Sequence, residues 1–323
     1  MSDIGLRIAY MGSADFAVPA LDALRTAGHD IAFVVTQPDK ARGRGGKILP
    51  TPVGLYAETY GLPLLKPERV KDNPELEHVF AKTSPDLIVV AAYGKLLPAS
   101  LLGLPPLGCI NIHASLLPEY RGAAPVQQAI LDGRAETGVT LMHVVERLDA
   151  GDIIASARVE VAGMTAGELT AALAQAGAKL LVDTLPAIAD GTAPRVPQNE
   201  AKATYAEKIA KADGHLDLTK SAEEAALRVR AMTPAPGAYV MRGDERIVLT
   251  AARAVVPEEC GASITDYKKA LPGTVLAVSK KGVAVRTGHG ALLIEALKMP
   301  AKKAMPVAEY IKGNAFDKDT PLE

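Results

Sequence analysis

The most chemically distinctive residues of the sequence are an amide and an imidazole two positions apart. Asn111 and His113 lie in the run GCINIH, whose apolar composition is typical of a strand. Side chains two apart on a strand leave the same face. An amide donor beside an imidazole can polarise a carbonyl group and hold the oxyanion that forms on nucleophilic attack. Such a pair can equally be a structural hydrogen-bonded pair, so it does not establish catalysis alone.

A carboxylate follows further along the chain. Asp149 lies in the run LDAGD, after a strand that the sequence predicts to open at residues 136–140. On a loop beyond that strand, it could return to His113, orient the imidazole and favour its charged form. The same run also fits an ordinary Asp/Gly turn.

A basic loop from Asp39 to Lys47 is the second candidate for chemistry. It carries three glycines and four basic residues: Lys40, Arg42, Arg44 and Lys47. Such a loop can neutralise phosphates and let an arginine reach into an opened RNA helix end. A mobile solvated loop is the alternative interpretation of the same composition.

The elements that must position these residues follow an alternating pattern. Apolar strands are predicted at residues 6–11, 31–36 and 86–92, and helical spacing is found at 16–24 and 75–81. Continuous apolar strands that alternate with helices are typical of a doubly wound, mostly parallel α/β sheet covered on both faces. Ligands of such sheets lie beyond the carboxyl ends of the strands.

The first strand-to-helix turn excludes two ligand classes. Residues 12–15 read GSAD, with only the first glycine of the Gly-x-Gly-x-x-Gly fingerprint for dinucleotides. The chain also lacks a Gly-x-x-x-x-Gly-Lys-Ser/Thr phosphate loop. Both features argue against a nicotinamide enzyme and a P-loop kinase.

The second half predicts a separate domain. A long helix should start near Ala166 and end or kink around Leu185, ahead of Pro186. The proline-rich residues that follow are typical of a linker. A helix at 222–232 and short strands at 246–252, 273–278, 282–287 and 291–297 then predict a small, OB-like β-barrel. We therefore expect a catalytic domain at 1–189, a linker at 190–207 and a β-barrel domain at 208–323.

Composition and charge predict a cytoplasmic protein without a membrane span. The 323 residues are 48% hydrophobic and 23% charged, and neither a signal peptide nor a bilayer-length apolar run is recognisable. Cys109 and Cys260 are expected to stay reduced, and no spacing of metal ligands is present, so we expect no metal. Residues 201–323 carry 19 basic and 15 acidic side chains, a mildly basic balance compatible with a polyanionic partner.

Two runs together carry a resemblance to a known family. Asn-x-His-x-Ser-Leu-Leu-Pro at 111–118 and Leu-Asp-x-Gly-Asp at 148–152 resemble the active site of folate-dependent formyltransferases, which use 10-formyltetrahydrofolate. The resemblance implies that Asn111, His113 and Asp149 are catalytic. It also implies that the folate is bordered by two short stretches: Ser115, Leu116, Leu117 and Pro118, and the strand-end loop Ala92, Tyr93 and Gly94.

The resemblance extends over nearly the full chain. Residues 11–19, 37–47, 203–209 and 273–275 are similar to the members of the family that formylate initiator methionyl-tRNA. This implies that the basic loop contacts RNA, with Arg42 nearest the bases, and that initiator methionyl-tRNA and folate are the partners. No protein partner is evident.

Two other functions stay open at this stage. One is formyl transfer to a small amine, such as a glycinamide ribonucleotide or an amino sugar nucleotide. The C-terminal domain and the basic loop argue against it, because a small substrate needs neither. The other is an inactive RNA-binding module on the same scaffold, against which the intact Asn111, His113 and Asp149 argue.

Overall fold

The protein divides into two compact units. The computed structural model describes residues 5–42, 46–260, 264–314, 316 and 320–323. Unit 1 comprises Met1–Pro125, Glu136–Glu160 and Thr170–Ala206, and unit 2 comprises Val126–Ala135, Val161–Leu169 and Glu207–Glu323. These units are close to the predicted catalytic and C-terminal domains, whose exact bounds stay a prediction.

Unit 1 is built on one seven-stranded sheet. Its order is β10-β9-β7-β6-β1-β2-β5. The strands of the unit, including two short pairs outside this sheet, are β1 Arg7–Gly12, β2 Asp30–Val35, β3 Lys40–Arg42, β4 Lys47–Leu49, β5 Leu64–Leu65, β6 Leu87–Ala91, β7 Cys109–His113, β8 Arg121–Gly122, β9 Glu136–His143, β10 Ile153–Glu160 and β11 Tyr205–Ala206. The five strands from β5 to β7 pair in parallel, whereas β9 and β10 are antiparallel additions beyond β7.

Helices cover this sheet, as the alternating pattern predicts. They are α1 Val18–Thr26, α2 Pro52–Thr59, α3 Pro74–Thr83, α4 Ala99–Leu102 and, from Thr170 on, α6 Ala166–Ala189. The helix α5 Pro125–Leu131 belongs to unit 2 from Val126 on. Every residue of β6 is buried, which is what a central parallel strand with packing on both faces requires. The prediction of a doubly wound, mostly parallel sheet is confirmed.

Helix α6 differs from its prediction at the C-terminal end. The sequence predicts an end or kink around Leu185, yet the helix continues through Pro186 to Ala189. Proline removes one backbone donor, but Asp190 N still donates to the Pro186 carbonyl at 3.1 Å, so helical bonding resumes directly. Leu185 and Ile188 are buried on either side of the proline, and their packing stabilises the last turn.

The predicted linker is bonded to unit 1 along much of its length. Val196 forms a bridge with Ile153 at the start of β10. Further on, β11 pairs in parallel with β8, and Thr204 O accepts a hydrogen bond from Arg121 N at 2.9 Å. Residues 196–206 therefore belong to the architecture around the site.

Unit 2 is a helix-covered antiparallel sheet of six strands. The strands are β12 Ala238–Arg242, β13 Glu245–Val255, β14 Val275–Ser279, β15 Gly282–Arg286, β16 Ala291–Lys298 and β17 Met305–Pro306, in the order β12-β13-β16-β15-β14 with β17 also on β16. The helices are α7 Ala222–Met232, α8 Ile264–Lys269 and α9 Val307–Tyr310. Ser221 and Glu224 close a reciprocal capping box at the start of α7. The predicted C-terminal β domain is confirmed as this antiparallel sheet.

Within the ranges given above, no helix is both long enough and apolar enough to cross a bilayer.

We expect Leu181→Ala to destabilise unit 1, because this side chain of α6 is fully buried in its core. Such truncations cost about 2–5 kcal/mol in free energy of unfolding. Urea denaturation is the measurement that checks this loss. Gln175→Ala on the exposed face of the same helix is the control and should change stability by less than about 0.5 kcal/mol. Equal effects of the two substitutions would contradict the packing of α6.

Candidate active site

Asn111 and His113 lie at the carboxyl end of β7, where the sheet changes from parallel to antiparallel. They alternate with Ile112, which contacts α6 where Gly177 leaves room: a Cβ at Gly177 would lie 2.8 Å from Cγ2 of Ile112. Asn111 and His113 therefore share the opposite face, as predicted. The Asn111 side chain is half-buried and makes no hydrogen bond to any described residue. Its amide is available to a ligand.

The imidazole of His113 has an acceptor on each side. It is only 6% exposed, and Nε2 lies 2.9 Å from the carbonyl oxygen of Tyr120. Because a carbonyl can only accept, Nε2 carries the proton of this hydrogen bond. On the other side, Nδ1 lies 3.7 Å from Oδ2 of Asp149. The structure thus brings the predicted His113 and Asp149 together, next to Asn111.

The carboxylate of Asp149 is held by a backbone amide as well. Gly122 N donates to Oδ2 at 2.8 Å, so one oxygen faces both this amide and the imidazole. The backbone of Asp149 has φ +47°, in the left-handed region that L-residues rarely adopt. Oδ1 makes no hydrogen bond within the part of the chain that the structure describes.

Two glycines near Asp149 lie where the backbone approaches a carbonyl too closely for a side chain. At Gly122, with φ +114°, a Cβ would lie 2.6 Å from the carbonyl oxygen of Ala206. At Gly151, a Cβ would lie 1.8 Å from the carbonyl oxygen of His143, where the loop after β9 turns back. A side chain at either position would displace the segment that carries Asp149 or its hydrogen-bond donor.

The predicted stretch Ser115–Pro118 forms a compact loop after β7. Ser115 is fully buried, and its hydroxyl donates to the Glu119 carbonyl at 2.6 Å. The hydroxyl of Thr140 donates to Ser115 O and accepts from Leu117 N. Of the four predicted residues, Leu116 and Pro118 are partly exposed, whereas Ser115 and Leu117 are buried. The latter two side chains thus face the protein interior.

The loop after β6 presents backbone outward. Ala92 and Gly94 are exposed and adopt positive φ of +42° and +78°, while the Tyr93 side chain between them is buried. Burial raises the pKa of Tyr93 to about 12. Since Ala91 is in register with Ile112, this loop lies beside the end of β7 and His113. Both predicted folate-bordering stretches therefore follow neighbouring strand ends.

The base of the basic loop is bonded to the loop after β6. Gln37 Nε2 donates to the Tyr93 carbonyl at 2.8 Å, and its Oε1 accepts from Lys40 Nζ at 3.0 Å. Strands β3 and β4 pair Lys40 with Leu49. Arg44, and the side chains of Arg42 and Lys47, lie outside the described residues.

Sequence reasoning assigned no role to two buried polar residues around Asp149. Arg121 is 1% exposed and Gln198 9% exposed, and they hydrogen-bond each other. Arg121 lies three residues after the end of the Ser-Leu-Leu-Pro run, but Gln198 lies in the proline-rich stretch that suggested only a linker. In the ranges that the structure describes, no cluster of three His, Cys, Asp or Glu side chains could hold a metal ion.

The chain is similar to known proteins over most of its length. Residues 6–185 match the formyl transferase family, and residues 208–315 match the formyl transferase C-terminal domain. Methionyl-tRNA formyltransferases from Moorella thermoacetica and Sulfurihydrogenibium sp. are 43% and 41% identical to this chain. Each covers 95% of it, and the chain covers 96% and 97% of these relatives.

Two solved structures show the same fold at low identity. HypX from Aquifex aeolicus aligns with a TM-score of 0.65 at 19% identity over 97% of this chain, which spans only 49% of that protein. The sugar 3N-formyl transferase WlaRD aligns with a TM-score of 0.64 at 15% identity, over 93% of this chain and 99% of its own. With the family match and the full-length relatives, the conclusion is direct: the chain belongs to the methionyl-tRNA formyltransferase family of formyl transferases.

Proposed function

We propose that this enzyme transfers the formyl group of 10-formyltetrahydrofolate to the α-amine of methionine on initiator methionyl-tRNA. The observation that carries the proposal is the arrangement around β7. The free amide of Asn111 lies beside an imidazole whose two nitrogens face the Tyr120 carbonyl and the Asp149 carboxylate. We place the reaction in the cytoplasm, where charged tRNA is available.

The reaction needs an oxyanion site and a proton acceptor. The amine nitrogen attacks the formyl carbon, and the carbonyl electron pair moves to oxygen. Asn111 donates a hydrogen bond to this oxyanion, and Nε2 of His113 donates a second one by exchanging the Tyr120 carbonyl for it. When the oxyanion collapses, the bond from the formyl carbon to N10 of the folate breaks. The amine loses one proton and N10 gains one. Asp149 assists this movement through Oδ1, because Oδ2 is engaged by Gly122 and faces His113.

A folate as the formyl donor has support from the strand-end loops. Ala92 and Gly94 offer exposed backbone beside the end of β7, and Leu116 and Pro118 offer partly exposed apolar surface. We assign the pterin to the first loop and the adjoining part of the donor to the second. Among proteins of the same fold, HypX was crystallised with tetrahydrofolic acid, and an N-formyltransferase from Helicobacter canadensis with folinic acid.

Methionyl-tRNA as the acceptor has support from the full-length relatives. Those at 41–43% identity are named for this acceptor, and the match includes residues 208–315, the C-terminal domain. The basic loop, with Lys40, Arg42, Arg44 and Lys47, supplies positive charge for RNA phosphates. A small amine acceptor would not need the basic loop.

The direct test is formyl transfer from 10-formyltetrahydrofolate to methionyl-tRNA, with initiator and elongator species assayed in parallel. Rapid transfer to the initiator species alone is the expected result. If neither tRNA is formylated while the folate binds, methionyl-tRNA is not the acceptor, and small amines take its place.

Asn111→Ala and His113→Ala should each lower turnover by about 100–1,000-fold, equivalent to about 2.7–4 kcal/mol, because each removes a donor to the oxyanion. The measurement is single-turnover formyl transfer, with equilibrium dialysis of the folate as the control for binding and thermal unfolding as the control for folding. Near-normal turnover in either variant would remove that residue from the mechanism.

Arg42→Ala should weaken tRNA binding and flatten its dependence on log[salt] by about one unit of slope, while folate binding stays unchanged. Filter binding of tRNA at several salt concentrations measures both quantities. Lys82→Ala, which removes an exposed cation from α3, is the matched control and should leave the slope unaltered. Loss of folate binding with normal tRNA affinity would contradict the assignment of the loop.

A further inference from the structure

We propose that Gln198 and Arg121 are positioning residues that hold Asp149 in its active conformation. The inference rests on the proposed function of Asp149. It makes the segment after α6, although distant in sequence from the catalytic motifs, a working part of the active site.

Gln198 holds the backbone of the Asp149 loop. Its Nε2 donates to the carbonyl of Asp149 at 2.9 Å and to the carbonyl of Gly151 at 2.7 Å. The backbone of Asp149 is left-handed, with φ +47°, and the two bonds hold the carbonyls of this residue and of Gly151 in the turn. A non-glycine residue keeps such a conformation only where its surroundings fix it. The two bonds from one buried amide are the contacts that do so here.

Arg121 fixes the orientation of that amide. Its Nε and Nη2 both donate to Oε1 of Gln198, at 3.1 and 2.8 Å. A flipped amide would turn its NH₂ group toward the guanidinium and its oxygen toward two carbonyls, so every contact would be lost. The guanidinium therefore determines that Nε2 of Gln198 faces Asp149 and Gly151.

Glu200 compensates the buried charge of Arg121. Its two carboxylate oxygens accept from Nη1 and Nη2 of Arg121 at 3.1 and 2.9 Å, a bidentate pair. The hydrogen bonds from Arg121 and Arg147 lower the pKa of Glu200 to about 2. Because this folded-state pKa lies below the ordinary one, the pair is intact at neutral pH and is lost only as pH falls toward 2.

Strand β8 thus holds Asp149 through two sets of hydrogen bonds. Through Arg121 and Gln198 it fixes the backbone, and through Gly122 N, one residue on, it fixes the carboxylate. A shift of β8 or of residues 198–200 would move Oδ2 relative to His113. Errors of about 1 Å at reacting groups can cost about 100-fold in rate.

The test uses Gln198→Glu, which keeps the side-chain size and an acceptor for Arg121 but removes the donor to Asp149 and Gly151. In the formyl-transfer assay, kcat should fall about 10–100-fold, with KM for folate and for tRNA unchanged within about twofold. The control is Gln175→Glu, the same substitution at an exposed position of α6. It should leave kcat unaltered.

A double-mutant cycle separates positioning from general destabilisation. In an Asp149→Asn background, Gln198→Glu should cost less than about twofold in kcat, because its effect acts through the lost carboxylate. The same fold loss in both backgrounds would overturn the proposal.

Hydrogen exchange at the Gly122 amide gives a readout that does not depend on activity. Its protection reports the Asp149 carboxylate, so exchange should become about tenfold faster in Gln198→Glu and stay unchanged in Gln175→Glu. Unchanged exchange in Gln198→Glu would overturn the positioning role. Absence of formyl transfer by the unsubstituted enzyme would instead overturn the proposed function, and the exchange result would still decide the structural claim.

Discussion

A buried imidazole with an acceptor on each of its nitrogens is the constraint on which the rest of the site depends. His113 is fixed by its strand, but the carbonyl of Tyr120 and the carboxylate of Asp149 come from two separate loops. Neither loop has regular structure of its own, so each must be held by contacts elsewhere. The buried hydroxyl of Thr140 secures the first loop, and the glycine at 151 lets the second pass close to the end of β9.

The change from parallel to antiparallel pairing at β7 makes this convergence possible. Parallel strands deliver their loops to one edge of the sheet, which places the loop after β6 beside His113. The antiparallel strand β9 begins at that edge, since Thr140 is in register with His113, and ends at His143 opposite Ile110. The following loop therefore folds back to bring Asp149 to His113. The exposed backbone of the loop after β6 and the proposed catalytic side chains can therefore lie side by side without a glycine-rich phosphate loop.

The strands of unit 1 and the relation of Asn111 to His113 could be predicted because both depend on local sequence pattern. Apolar runs reveal the buried strands of unit 1, and the two-residue period of a strand puts Asn111 and His113 on one face. The position of Gln198 could not be predicted in this way. A glutamine among prolines has no periodicity, and its role depends on a parallel pairing between β11 and β8 across more than eighty residues. At Pro186 the local rule gives the wrong prediction. Proline predicts that α6 breaks there, but the buried residues on either side keep the helix continuous.

The pairing of β8 with β11 also has a consequence for the order in which the protein is made. Every strand of the seven-stranded sheet precedes residue 161, so all of them are synthesised before α6. The segment that braces Asp149 is among the last parts of unit 1 to be synthesised. A nascent chain that stops at the end of α6 would hold His113 on a formed strand but leave the turn at Asp149 without its brace. On the proposed roles of Gln198 and Asp149, the parts needed for chemistry are thus complete only after the strands of the sheet have been synthesised.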